Sequence, residues 1–152
     1  AVAMALASSG LPAARLSVEI TETALMSGGS EALRDLQALR DMGVGISLDD
    51  FGTGFSSLAH LRAFPFDRIK IDGSFVQDGD RRSDCAAIVR ALAQLGVTLG
   101  VATVAEGVET PQQRQRIQAD GCTHAQGYLF GRPEPALRDL ARLKEINGLK
   151  AF

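Results

Sequence analysis

Four apolar runs of this chain end in acid: Ser17-Val18-Glu19-Ile20-Thr21-Glu22, Ile46-Ser47-Leu48-Asp49-Asp50, Ile69-Lys70-Ile71-Asp72 and Val104-Ala105-Glu106-Gly107-Val108-Glu109. Each reads as a buried strand. In a parallel sheet all four finish on the same side, which gathers seven of the chain's 18 acidic residues on one rim. Carboxylates crowded in this way repel one another too strongly to be held together without cations. The pattern predicts a metal site built at strand ends.

Five strand candidates, at 16–20, 45–48, 68–71, 99–105 and 124–129, alternate with five helical stretches, the signature of repeated βα units around a parallel sheet. Residues 30–42 place Leu33, Leu36 and Leu39 on one helical face, with Gly43 as the stop. A shorter helix at 56–63 ends before Pro65. Ser83-Asp84 precede an apolar helix at 86–95 that Gly96 closes. Thr110 is an N-cap with Pro111 at the first position of a polar helix ending at Gly121. Residues 135–146 set Leu137, Leu140, Leu143 and Ile146 at helical spacing. No linker divides the chain, so residues 1–152 read as one domain.

Two architectures accommodate five βα units. An open doubly wound sheet is complete at five or six strands, whereas a closed (β/α)8 barrel needs eight strands and about 250 residues. The open sheet calls for a glycine-rich phosphate loop, and Gly52-Thr53-Gly54 matches neither GxGxxG nor a P-loop. Functional residues at the ends of several different strands favour the barrel. The chain then reads as a partial barrel, with about a third of the barrel expected on its N-terminal side. The apolar opening Ala1-Val2-Ala3-Met4-Ala5-Leu6-Ala7 has no basic residues before it and reads as the end of a helix rather than a signal peptide.

Charge narrows the partners. A formal net charge of -2 gives no general attraction to nucleic acid or anionic membrane, so a phosphate ligand must be held locally, with metal as the intermediary. No apolar run approaches the roughly 20 residues that span a bilayer. Cys85 and Cys122 lack CxxC spacing and read as buried, reduced thiols of a cytoplasmic protein. His60 and His124 take structural roles.

The segment Ser47-Leu48-Asp49-Asp50-Phe51-Gly52-Thr53-Gly54-Phe55-Ser56-Ser57-Leu58 sets adjacent carboxylates where a strand meets a glycine-rich loop. Adjacent strand residues point to opposite faces, and a turn at the strand end lets both reach one rim. Taken alone the pair reads as an Asp-rich helix cap before Ser56. Its neighbours decide the matter, because five blocks in order resemble the EAL domain, the bacterial phosphodiesterase family of cyclic di-GMP. They are Glu19-Ile20-Thr21-Glu22, the 49–58 segment, Lys70-Ile71-Asp72-Gly73-Ser74-Phe75, Ala105-Glu106-Gly107-Val108-Glu109-Thr110 and Gln126-Gly127-Tyr128-Leu129-Phe130.

The resemblance implies a TIM-type barrel with two Mg²⁺ or Mn²⁺ ions at its C-terminal rim, where water attacks a phosphodiester of cyclic di-GMP to give linear pGpG. It assigns Glu19 and Asp49 as metal ligands, Asp50 to the second ion, and Glu106 as a ligand or base, ligand being preferred. Lys70 faces the nucleophilic water and phosphate, although a lysine snorkelling from a strand end is the structural alternative. Glu22 anchors the loop after Asp50, and Asp72 and Gln126 fall on functional positions in the substrate or water shell. Glu109 reads as a helix N-terminal charge. The loop at 51–57 resembles the family's dimerisation and activation loop, and sensory or diguanylate cyclase domains are common companions.

The family's name-giving Glu-Ala-Leu strand and an asparagine ligand on the next strand precede the region covered here. Without them the isolated chain is expected to self-associate through open sheet edges and to show little turnover. A non-catalytic cyclic di-GMP receptor or interaction module is the second reading, and another metal-dependent barrel enzyme acting on a sugar or phosphate is the third.

Overall fold

The computed structural model of the protein describes residues 1–52, 64, 66–79 and 81–133. The helices expected at 56–63 and 135–146, and His60, lie outside those residues. Five strands, β1 (Ser17–Thr21), β2 (Gly45–Phe51), β3 (Arg68–Ile71), β4 (Ala102–Ala105) and β5 (His124–Ala125), form one sheet in sequence order, every pair parallel. Between them run α2 (Glu22–Asp41), α3 (Gly73–Asp78), α4 (Ser83–Leu99) and α5 (Pro111–Ala119), after an opening helix α1 (Val2–Ser9). This is the α/β architecture of a partial TIM-type barrel.

Alternation along the strands separates two faces. Ile46 and Leu48 of β2 and Ile69 of β3 are almost fully buried and pack with Leu25 and Leu36 of α2. Farther along the sheet Ile71, Ala105 and Val108 pack with Val89 and Ala93 of α4 and Ile117 of α5. Leu92 touches both clusters, so α4 joins the two halves of the core. The intervening positions Glu19, Ser47, Asp49 and Lys70 share the opposite face, where Ser17 and Ser47 bring their hydroxyls within 3.3 Å.

Several boundaries differ from the expected ones. The helix expected at 30–42 starts at Glu22, because Thr21 caps it by accepting from the Ala24 N–H and Leu25 adds an inward anchor. Gly29, with φ of 53°, breaks it into two segments, and only the second carries the leucine pattern. Gly96 does not end α4, which runs on to Leu99 and closes at Gly100, φ 68°. The fourth strand therefore begins at Ala102 rather than 99. The fifth is only two residues long, since past Ala125 the chain folds over the Val108 backbone, Leu129 N–H donating to the Val108 carbonyl at 3.0 Å. The capping box at Thr110 is present, with Gln113 as its reciprocal partner.

Gly96 has a packing role instead. A Cβ there would collide with Thr103 Cγ2 and sit 2.9 Å from the Val101 carbonyl oxygen, which is backbone and cannot yield. Gly96→Ala is expected to destabilise by about 1–3 kcal/mol through overpacking, whereas the substitution in an open helix interior would stabilise. Urea denaturation of the two proteins checks the sign.

Candidate metal centre

The strand ends assemble the site. Lys70 on β3 is flanked by β2 and β4, and its side chain is only 8% exposed. Its ammonium lies 2.7 Å from Glu19 Oε2, 2.8 Å from Asp49 Oδ1 and 2.8 Å from Glu106 Oε1, so three strands' carboxylates meet on one nitrogen. Burial alone would lower the lysine pKa, but the close carboxylates of Asp49, Glu106 and Glu19 outweigh it and hold the group above its ordinary value.

Asp49 and Asp50 reach the same rim by a bulge within β2, not by a turn after it. Leu48 pairs with Ile69 and Phe51 with Ile71, so β2 spends one residue more than β3 over that step. Asp50 takes φ of 54°, the one described residue other than glycine in the left-handed region. One carboxylate oxygen each from Asp49, Asp50 and Glu106 fall within 4.8 Å of one another. Asp50's carboxyl is held above its usual range by burial and then by the charges of Asp49 and Asp72, with Lys70 opposing. Glu106 is also raised, through burial, against which its bond to Lys70 works. Four carboxylates around one ammonium leave an uncompensated negative charge, and hard oxygen donors at these separations suit Mg²⁺, Mn²⁺ or Ca²⁺.

The bulge makes a local prediction. Asparagine tolerates the left-handed conformation and a β-branched residue does not, so Asp50→Asn is expected to keep the fold while weakening cation binding. Asp50→Val is expected to cost a further ~1–3 kcal/mol of stability, read from thermal melts of the two variants.

The other expected site residues spread out. Glu22 is buried at 4% exposure as the first residue of α2, and its Oε2 has no hydrogen-bond partner among the described residues. Most of the loop it was expected to anchor, from residue 53 onward, lies outside them. Asp72 caps α3, accepting from the Ser74 N–H at 2.9 Å and from the Ser74 hydroxyl. Gln126 continues the sheet beside Glu106, its N–H donating to the Ala105 carbonyl at 2.8 Å, with its side chain exposed. Glu109 stands just before the Thr110 cap, and His124 accompanies the Thr123 hydroxyl at the strand's opposite end. The tripeptide Glu31-Ala32-Leu33 lies on α2, with Glu31 exposed, and is no part of the rim.

Sequence reasoning missed a pair of glycines. Gly107, φ 64°, lies against Gly73, where an added Cβ would come within 3.1 Å of the Gly73 Cα. The loops after β3 and β4 thus touch backbone to backbone beside Glu106. The signal was a glycine following the acid in each run, Asp72-Gly73 and Glu106-Gly107.

Comparison with known proteins adds a family match and several similar proteins. The family model for the EAL domain matches residues 1–133. The cyclic di-GMP phosphodiesterase RocR of Pseudomonas aeruginosa is 46% identical over 125 residues, 82% of this chain and 32% of RocR. Among solved structures, the MucR phosphodiesterase in complex with c-di-GMP superposes with a TM-score of 0.87 at 45% identity, over 90% of this chain and 56% of that one. A manganese and cyclic di-GMP complex of Klebsiella pneumoniae BlrP1 gives 0.81 at 36%, over 87% of this chain and 34% of BlrP1. A calcium and cyclic di-GMP complex of BlrP1 matches equally. The chain therefore spans well under two thirds of the length of these relatives.

Proposed function

This chain belongs to the EAL domain family, and on that premise we propose that it supplies the metal-binding rim of a phosphodiesterase that cleaves cyclic di-GMP to linear pGpG. The convergence of Glu19, Asp49 and Glu106 on Lys70, with Asp50 turned to the same rim, is the observation that carries the reading. Asp49, Asp50 and Glu106 would hold Mg²⁺ or Mn²⁺, with Glu19 completing the set. A bound ion of this kind polarises phosphate oxygens and acidifies water.

The chain's own groups do the rest. The carboxylates fix position and orientation, so that no reorganisation is needed as charge develops. Lys70, facing the same space, places a positive charge beside the phosphate oxygens. Glu106 brings its carboxylate from the end of β4 to the oxygens of Asp49 and Asp50 and so fixes the third ligand of that group. Asp72 and Gln126 border the rim as candidate contacts to substrate or its water shell, and Glu22 acts through the loop beyond Gly52.

Self-association belongs to the same proposal. The 51–57 segment, which resembles the family's dimerisation and activation loop, is the stretch through which a second copy is expected to pair.

The test is chromatographic. Incubation of the full-length protein with cyclic di-GMP and Mn²⁺ is expected to yield pGpG and to yield none with EDTA. Tight binding without cleavage would instead identify a receptor, and neither would refute the reading.

A further inference from the structure

Lys70 stands where a cation would be held. Its nitrogen lies 2.7–2.8 Å from one oxygen each of Glu19, Asp49 and Glu106, and two of those residues, Asp49 and Glu106, also form the three-carboxylate group with Asp50. The side chain is nearly buried, so it is not a surface lysine that has settled on an acidic patch. From these positions we infer that the Lys70 ammonium is an internal competitor for the metal ligands. It gathers Glu19, Asp49 and Glu106 before a divalent ion arrives, and it has to withdraw from them for the ion to bind.

The argument is one of shared lone pairs and like charge. Glu19 Oε2, which accepts from the Lys70 ammonium at 2.7 Å, cannot at the same time direct that lone pair at a cation about 2.1 Å away on another line. A divalent ion bound by Asp49 and Glu106 also comes within a few ångströms of the ammonium, where two positive charges repel strongly in a partly buried site. The ion therefore ends up with the carboxylates, and Lys70 is released toward the open side of the rim. That release places its charge where a phosphate would lie, so cation binding and the arming of Lys70 are one event. The inference rests on the metal-centre reading above.

Mn²⁺ titration by calorimetry or electron paramagnetic resonance tests it, comparing the full-length protein with its Lys70→Met variant. The variant is expected to bind Mn²⁺ about tenfold more tightly, since one positive charge has left the ligand set, while its metal-free form melts at a lower temperature. Lysine-selective nuclear magnetic resonance of the full-length protein reads the same event in the wild type. The Lys70 ammonium signal is expected to be protected from exchange without metal and to lose that protection as Mg²⁺ saturates. Equal or weaker Mn²⁺ binding by a folded Lys70→Met, or an unaltered Lys70 signal on Mg²⁺ saturation, would overturn the competition alone. Should the variant fail to fold, the wild-type resonance decides. If neither protein binds Mn²⁺, the competition and the metal-centre reading fall together.

Discussion

Asp49→Asn is expected to lower cyclic di-GMP hydrolysis by the full-length protein more than about 100-fold. Removing a group that merely orients a metal ligand commonly costs 10–100-fold, and Asp49 is positioned as a ligand itself. Like Glu106, it both lies 2.8 Å from the Lys70 ammonium and belongs to the three-carboxylate oxygen cluster. Asparagine preserves size and strand geometry while removing the charge, so the loss should come without unfolding. The check is paired: turnover by chromatography, and circular dichroism melts that stay close to wild type. Turnover unchanged in a folded variant would remove Asp49 from the centre.

Ile69→Ala is expected to have the largest effect on stability, about 2–5 kcal/mol. Ile69 is 1% exposed on β3, pairs with Leu48 and Thr103 on its two neighbouring strands, and belongs to the cluster that joins the sheet to α2. Truncation leaves a cavity bounded by the sheet, which cannot collapse to fill it. For a chain of this size each kcal/mol moves the melting midpoint by roughly 2–4 °C, so calorimetry resolves the change easily. Ile69→Val, which removes one methylene, is expected to cost about 0.5–1.5 kcal/mol. Equal effects of the two would show that the site repacks.

Much of the site was legible because two simple rules coincide. Strand periodicity locates the apolar runs, and parallel pairing then forces their last residues onto one rim, so Glu19, Asp49 and Glu106 meet although 30 or more positions separate successive members. What failed was local and set by tertiary contact. Gly96 reads as a helix stop, yet whether a glycine ends a helix or makes room for a neighbour depends on Thr103, seven residues away and on another element. The Asp49-Asp50 pair shows that two carboxylates are wanted at one rim, but not that a bulge with a left-handed aspartate delivers them. Asp72 fits the acid-ended pattern as well as Glu106 does, and its side chain is engaged in capping α3. Glu22, read as the anchor of the loop after Asp50, is buried at the start of α2.

The contact between Gly73 and Gly107 has a mechanical meaning. With no side chain and no solvent layer between them, the two loops behave as meshed teeth, so displacement of one is passed to the other without slack. α3 begins at Gly73 and Glu106 immediately precedes Gly107. One backbone contact thus sets both where α3 starts and where the Glu106 carboxylate stands.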